Sequence, residues 1–376
     1  MKKIFWLIGE NSGDLHASMV MKRLNQDYRD LHHYGIGGSR MQAEGLKAIY
    51  PFDRFSVMVF LEVIKHLAFF LKVEKRIKRL FQNDRPDIVI LVDYPGLNLR
   101  IARHADDERI PVLYYIAPQF WAWKHGRVFK LKDFTRHVAC ILPFEHEMLQ
   151  IHNINSSYVG HPIAEEVSFE LDRDSFARFY GLDASKKWIG FFPGSRNTEV
   201  SRMLPVFLQT QKLWNKASYE FLYSKARTIS QQRFQDLIDE SGTASIKIID
   251  GYTYEMMKYC DLLIVTSGTA TLEAAYIGTP MIIVYRTSKV SFAIGKRLVR
   301  VKRIGLPNIV LDESVVPELI QEDVNPQNLI RQAEAILSDD LRYREIRESL
   351  GKIKAIFGEK KASYQVVKII KELLKL

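Results

Sequence analysis

The sequence predicts an α/β fold built from two doubly wound, Rossmann-like units. Short apolar runs recur along the chain, and each is followed by Gly, Pro, Asp or Ser and then a helix-length segment. The series also restarts after a charged stretch near the middle. With 376 residues, 47% of them hydrophobic and 26% charged, there is ample apolar matter for two cores, and a disordered polymer is excluded.

In the first half the runs are residues 4–9, 33–37, 87–93, 112–117, 138–142 and 158–160. In the second they are residues 188–192, 220–223, 246–250, 262–266, 281–285 and 308–311. Runs this short, rich in Ile, Val and Phe and apolar on both faces, read as parallel strands covered by helices. Residues 165–187 are charged and carry no strand signal, so they read as linker plus a helix or two. The expected division is therefore 1–165, 166–340 and a helical tail 341–376 that packs back or is exchanged in a dimer. Ligands of such sheets sit beyond the carboxyl ends of the strands, so two facing units would share one cleft.

Lys and Arg exceed Asp and Glu by 54 to 44, a net charge of +10 that favours anionic partners without choosing among them. The two cysteines, Cys140 and Cys260, exclude a disulfide scaffold and a Cys-rich zinc module, and suit a reducing cytosol. The first apolar run is too short for a signal peptide, and no stretch reaches the ~20 apolar residues of a membrane span. A protein that is soluble or peripheral on a membrane is expected.

The informative positions fall at strand ends. Gly9-Glu10-Asn11-Ser12-Gly13-Asp14 follows the first run and opens a helix, whose free N–H groups suit an anion or a sugar hydroxyl. It departs from G-x-G-x-x-G, which argues against NAD, and an ordinary turn with Asp14 as helix cap is the alternative. Asp93 ends the very apolar run 88–92, where desolvation can make a carboxylate a useful general base; a cap for the next helix is the competing role. In Pro193-Gly194-Ser195-Arg196, glycine permits close backbone approach, serine donates, and the arginine fork matches phosphate; a surface turn is the alternative. Ser267-Gly268-Thr269 leads from a buried strand into a helix and places N–H donors at a phosphate. Glu273, read on that helix's first turn, suits vicinal ribose hydroxyls, or stands there for the helix dipole alone. The histidines lack metal-binding spacing, and no P-loop or G-x-S-x-G elbow is present, so neither a metal nor a cofactor is expected.

Residues 57–71 hold 12 apolar residues in 15. They read as a core-packed helix or as a partly exposed patch meeting lipid or acyl chains, with Val57, Met58, Phe60 and Leu61 at its start. Residues 286–303 hold seven cations and no acids among apolar residues, which suits an anionic membrane surface or substrate. No nucleic-acid recognition motif accompanies them.

Taken together and in order, these motifs resemble the lipid-A-disaccharide synthase family: G-E-x-S-G-D from Gly9, G-I-G-G-x-R-M-Q-x-E-G from Gly35, S-V-M-x-F-x-E-V from Ser56, Asp93-Tyr94-Pro95, W-A-W-K-x-G-R from Trp121, C-I-L-P-F-E from Cys140, V-G-H-P from Val159, P-G-S-R, S-G-T-A-T-L-E, and L-P-N from Leu306. The resemblance implies a GT-B fold with C-terminal helices and an inverting, metal-independent transfer. The substrates implied are UDP-2,3-diacylglucosamine and 2,3-diacylglucosamine 1-phosphate (lipid X), giving the β-1,6-linked disaccharide 1-phosphate and UDP. It also implies a homodimer at the cytoplasmic face of the inner membrane, with no nucleic-acid partner. Under that activity Asp93 is the expected base, with Glu10 and Asp14 as fallback or as acceptor-positioning groups. Gly194, Ser195, Arg196, Ser267, Gly268 and Thr269 would hold the diphosphate, and Glu273 the ribose. Asn308, carried over from L-P-N, would lie on the nucleotide side, and Ser12 beside the lipid patch on the acceptor side. The rivals are a UDP-sugar 2-epimerase on the same plan and a non-catalytic protein sensing nucleotide and anionic lipid.

Overall fold

The structure, a computed structural model, describes residues 1–55, 62–121, 126–214, 216–242, 246–298 and 303–376. It divides into two units. The first comprises Met1–Ala164 and Phe357–Leu376 with a short piece at Arg297, and the second runs from Glu165 to Ile356 apart from that piece.

The first unit is built on seven strands: β1 (Lys2–Ile8), β2 (Leu31–Ile36), β3 (Lys47–Ala48), β4 (Ile88–Val92), β5 (Val112–Tyr115), β6 (His137–Cys140) and β7 (Ser156–Tyr158). They pair in parallel in the order β3-β2-β1-β4-β5-β6-β7. All five residues of β4 are buried, as expected of a strand apolar on both faces. The helix Asn11–Asp27 turns Ala17, Val20, Met21 and Leu24 inward, at the spacing of one helical face. The last helix, Ala362–Leu374, adds Val366, Val367, Ile370 and Leu374 to the same core.

The helix Glu62–Asn83 divides the apolar stripe between two roles. Phe70, Val73, Ile77 and Phe81 are buried in the core, whereas Leu67 is 48% and Leu71 46% exposed. Val57, Met58, Phe60 and Leu61 lie outside the described residues. Among the described residues no helix is long and apolar enough to cross a membrane.

The second unit carries β8 (Lys187–Phe192), β9 (Tyr219–Lys225), β10 (Lys247–Asp250), β11 (Leu262–Thr266), β12 (Met281–Tyr285) and β13 (Glu318–Ile320). They are parallel in the order β10-β9-β8-β11-β12-β13. One sequence expectation is corrected here. The run at residues 308–311 is no strand, because Leu306–Val310 is a short helix with Pro307 in its first turn, and the edge strand β13 comes later. The fixed φ of proline suits a helix start, and the buried Asn308 side chain ties this turn to the segment that follows.

Each sheet has a point where the strand order reverses. In the first unit it lies between β1 and β4, and in the second between β8 and β11. Connections leave such a pair in opposite directions and open a crevice at the carboxyl ends.

Candidate active site

In the first unit Ile8 is paired with Val92, so Gly9-Glu10 and Asp93-Tyr94 are the first residues past the strands at the reversal point. Asp93 (φ 47°) and Tyr94 (φ 50°) are both left-handed, a costly pair for side chains with a Cβ. Buried polar groups hold it. The Asp93 carbonyl accepts from Asn98 Nδ2 at 2.7 Å and from the Tyr114 hydroxyl at 2.6 Å. Asn98, fully buried, also donates to the Val92 carbonyl at 3.2 Å. The Tyr94 hydroxyl reaches the Phe55 carbonyl, and its ring lies against Gly9, where an added Cβ would stand 2.1 Å from a ring carbon. Glycine at position 9 is what lets the tyrosine close over the turn.

The Asp93 carboxyl is pushed up to about 7, first by loss of water and then by the charge of Glu10. His16 and Arg127, from the starts of the helices Asn11–Asp27 and Arg127–Phe134, oppose the shift. Glu10 occupies the position just before Asn11–Asp27 without a side-chain capping bond to that helix, and Ser12 stands half-buried in its first turn. Asp14 is placed differently. Its buried carboxylate accepts from the backbone N–H groups of Gly38, Arg40 and Met41, at 2.7, 3.2 and 3.3 Å, and so binds the helix Ser39–Ala43 to the first turn.

Residues left unassigned by sequence reasoning also gather here. His161 is buried, stacked on Phe357 with ring centroids 4.5 Å apart, and accepts from the Ile163 N–H through Nδ1. Burial, then the charge of His16, lowers it to about 3, so it is neutral. Glu145, on the helix Pro143–Ile151 after β6, is 2% exposed and accepts from Trp121 Nε1 at 3.1 Å. Arg127 lay in plain view in the W-A-W-K-x-G-R motif, whereas His16 stands two residues past the end of G-E-x-S-G-D. What could not be read from spacing was that the segments after β1 and β5 bring them to the carboxylate at the end of β4.

In the second unit Phe192 is paired with Val265, so Pro193–Arg196 and Ser267-Gly268 flank the other reversal point. Gly194 (φ 113°) brings the backbone so close to Glu199 that a Cβ would lie 2.6 Å from its carboxylate. Glu199 accepts from the N–H of Ser195 at 3.0 Å and of Arg196 at 3.2 Å, and its other oxygen accepts from Arg196 Nη1 at 3.1 Å. The loop is shaped around an anion, and here a glutamate supplies it. The Ser195 carbonyl is fastened by Thr228 Oγ1 at 2.6 Å.

The helix Thr269–Ile277 starts directly after Gly268, and its first N–H groups have no acceptor within the helix. Glu273 is corrected by one turn. As the fifth residue of that helix it stands beyond the first turn, because the helix begins only at Thr269. The buried Asn308 amide is spent internally: Nδ2 donates to the Val316 carbonyl and to Glu318 Oε1, both at 2.8 Å, and Oδ1 accepts from the Val316 N–H. Among the described residues no group of three or more His, Cys, Asp or Glu is placed to hold a metal ion.

The family model described as lipid-A-disaccharide synthetase matches residues 4–371. The chain is 37% identical to the lipid-A-disaccharide synthase of Syntrophotalea carbinolica, over 99% of this chain and 95% of the relative. Its identity to the one from Trichlorobacter lovleyi is 38%, over 93% and 94%. Among solved structures, the S. aureus MnaA–UDP co-structure superposes with a TM-score of 0.67 at 14% identity, over 100% of this chain and 98% of that one. The UDP-GlcNAc 2-epimerase of Neisseria meningitidis gives 0.65 at 14%, over 98% and 100%, and these two likenesses speak for the fold alone.

Proposed function

Because the chain belongs to the lipid-A-disaccharide synthetase family, and so is a hexosyltransferase of lipid A disaccharide synthesis, we propose the substrates and course of its transfer. The donor is UDP-2,3-diacylglucosamine and the acceptor is 2,3-diacylglucosamine 1-phosphate. The acceptor's primary hydroxyl oxygen bonds to the anomeric carbon from the face opposite UDP, and the bond from that carbon to the UDP oxygen breaks. The hydroxyl proton passes to Asp93, leaving the β-1,6-linked disaccharide 1-phosphate and UDP.

The observation that carries this reading is Asp93 itself, held in a left-handed turn by Asn98 and Tyr114 with its carboxyl pushed up to about 7. A carboxylate of that basicity takes a proton in the transition state far better than an ordinary one, and is still ionised just above neutrality. Glu10 raises it electrostatically, and Asp14 braces the turn from which Glu10 projects. On the nucleotide side Arg196 exchanges Glu199 for the diphosphate. The Ser267-Gly268-Thr269 helix start meets the same charge as it grows on the leaving oxygen. Glu273 takes the ribose, and Asn308 keeps the neighbouring loop in place from within. A lipid-linked acceptor calls for peripheral attachment to the inner membrane, and the exposed Leu67 and Leu71 support it.

The test is purified protein with both substrates in detergent and EDTA, with products read by mass spectrometry and the anomeric linkage by NMR. A β-linked disaccharide with stoichiometric UDP is expected. An α linkage overturns inversion, and absence of the disaccharide overturns the substrate assignment. Appearance of an epimer from UDP-GlcNAc alone would favour an isomerase instead.

A further inference from the structure

Glu145 is buried to the last few per cent, and its two oxygens are treated unequally. Oε1 accepts from the Trp121 indole N–H at 3.1 Å, while Oε2 is buried and has no hydrogen-bond partner among the described residues. A charged carboxylate with a bare buried oxygen is expensive, whereas a neutral acid in the same place is not. Burial, and to a smaller degree the charge of Asp93, pushes the group up to about 8 against the opposing pull of the Trp121 N–H and the Leu142 backbone. The other titratable neighbour is Cys140 on β6, whose own thiol is pushed up by burial and then by Glu145. Asp93 in turn answers to Glu10 and His16 from one helix and Arg127 from another.

The one polar atom of the Trp121 side chain is therefore spent inward. What the half-buried indole offers outward is apolar ring, set edge-on to Phe144 at 5.3 Å. A flat apolar ring at the end of the sheet that carries the base suits the C–H face of a pyranose. We propose that Glu145 is a positioning residue: as an uncharged acid it pins the Trp121 indole against the acceptor's sugar ring without adding a second negative charge beside Asp93. This rests on the reading of the chain as a transferase acting on a lipid-linked glucosamine.

Glu145→Gln keeps an oxygen for the indole and keeps the site neutral, whereas Glu145→Ala leaves the indole N–H unpaired. With the proposed substrates, Glu145→Gln should retain neutral-pH turnover within about threefold and lose the fall in acceptor kcat/KM expected of the wild type above about pH 8. Glu145→Ala and Trp121→Phe raise acceptor KM about tenfold with a smaller change in kcat, while UDP affinity stays put. The proposal is overturned if Glu145→Gln fails as badly as Glu145→Ala, if it keeps the alkaline limb, or if acceptor KM ignores both of the other variants. Where Glu145→Ala does not fold, infrared difference spectra between about pH 6 and about pH 9 decide. Because the Asp93 carboxyl is pushed into the same range, the spectra are taken in an Asp93→Asn background: a protonated-carboxyl band lost on adding Glu145→Gln supports the assignment, and the same band with and without that substitution sinks it. A wild type that makes no disaccharide would instead condemn the transferase reading, since the infrared assignment needs no substrate.

Discussion

The two reversal points are built on one plan and carry opposite chemistry. Both sit between the central strands of a parallel sheet, and both open onto a glycine that permits a close approach: Gly9 under the Tyr94 ring, Gly194 over the Glu199 carboxylate. In the first unit the crevice is acidic and desolvated, with Asp93 and Glu145 both pushed toward or above neutrality. In the second it offers backbone N–H groups, hydroxyls and one guanidinium, and a glutamate already fills the place of an anion. A shared architecture therefore opens a crevice in each unit, while the side chains past the strand ends give one a desolvated carboxylate and the other N–H donors and a guanidinium.

If that division of labour is right, damage to the two crevices separates cleanly. The largest effect is expected from Asp93→Asn, which should lower kcat by about a thousandfold and leave UDP affinity by calorimetry within about twofold. Arg196→Ala should act on the other side, weakening UDP binding and kcat/KM together by about ten- to a hundredfold. Loss of UDP affinity in the first variant, or its full retention in the second, would break the comparison.

The pH profile sharpens it further. If Asp93 is the base it must be ionised to accept a proton, and with its carboxyl pushed up to about 7, kcat should climb through about that pH and then level, whereas UDP binding should not follow this limb. Linkage runs the other way for stability. A carboxyl raised in the folded state keeps its proton where the unfolded chain has lost its own. Asp93 thus makes stability fall as pH rises from its ordinary range toward about 7, and Asp93→Asn should flatten that fall in thermal unfolding curves.

The smallest expected effects separate the glycines. Gly9→Ala drives a methyl into the Tyr94 ring and should cost about 1–3 kcal/mol of stability with loss of turnover. Gly268→Ala, whose Cβ meets nothing within 4 Å, should change stability by less than about 0.5 kcal/mol.

Most of the strand ends were legible because each buried strand is a short run of β-branched and aromatic residues closed by a turn residue. Asp93, Arg196 and Ser267 were therefore placeable on the correct loops before any coordinates. The two-residue edge strand Lys47–Ala48 was not, since both residues are exposed and carry no apolar signal. Residues 308–311 misled because Ile309, Val310 and Leu311 look like a strand, while Gly305 and Pro307 set a helix first. Glu145 and Asn98 escaped for a deeper reason. A polar residue becomes significant when it is buried, and burial at both positions follows from the packing of distant segments. Asp14 illustrates the converse, since three backbone N–H groups converge on it from residues about two dozen positions away.

The return of Phe357–Leu376 to the first unit has a consequence for the order in which the molecule is made. A ribosome delivers β1 through β7 first and the final helix last, with the whole second unit emerging in between. Until then Val20, Met21 and Leu24 lack the Val366, Val367 and Ile370 that share their core, and His161 lacks the ring of Phe357. The unit that bears Asp93 is thus closed only after the second unit has emerged, and until then the nascent chain carries its unfinished apolar face.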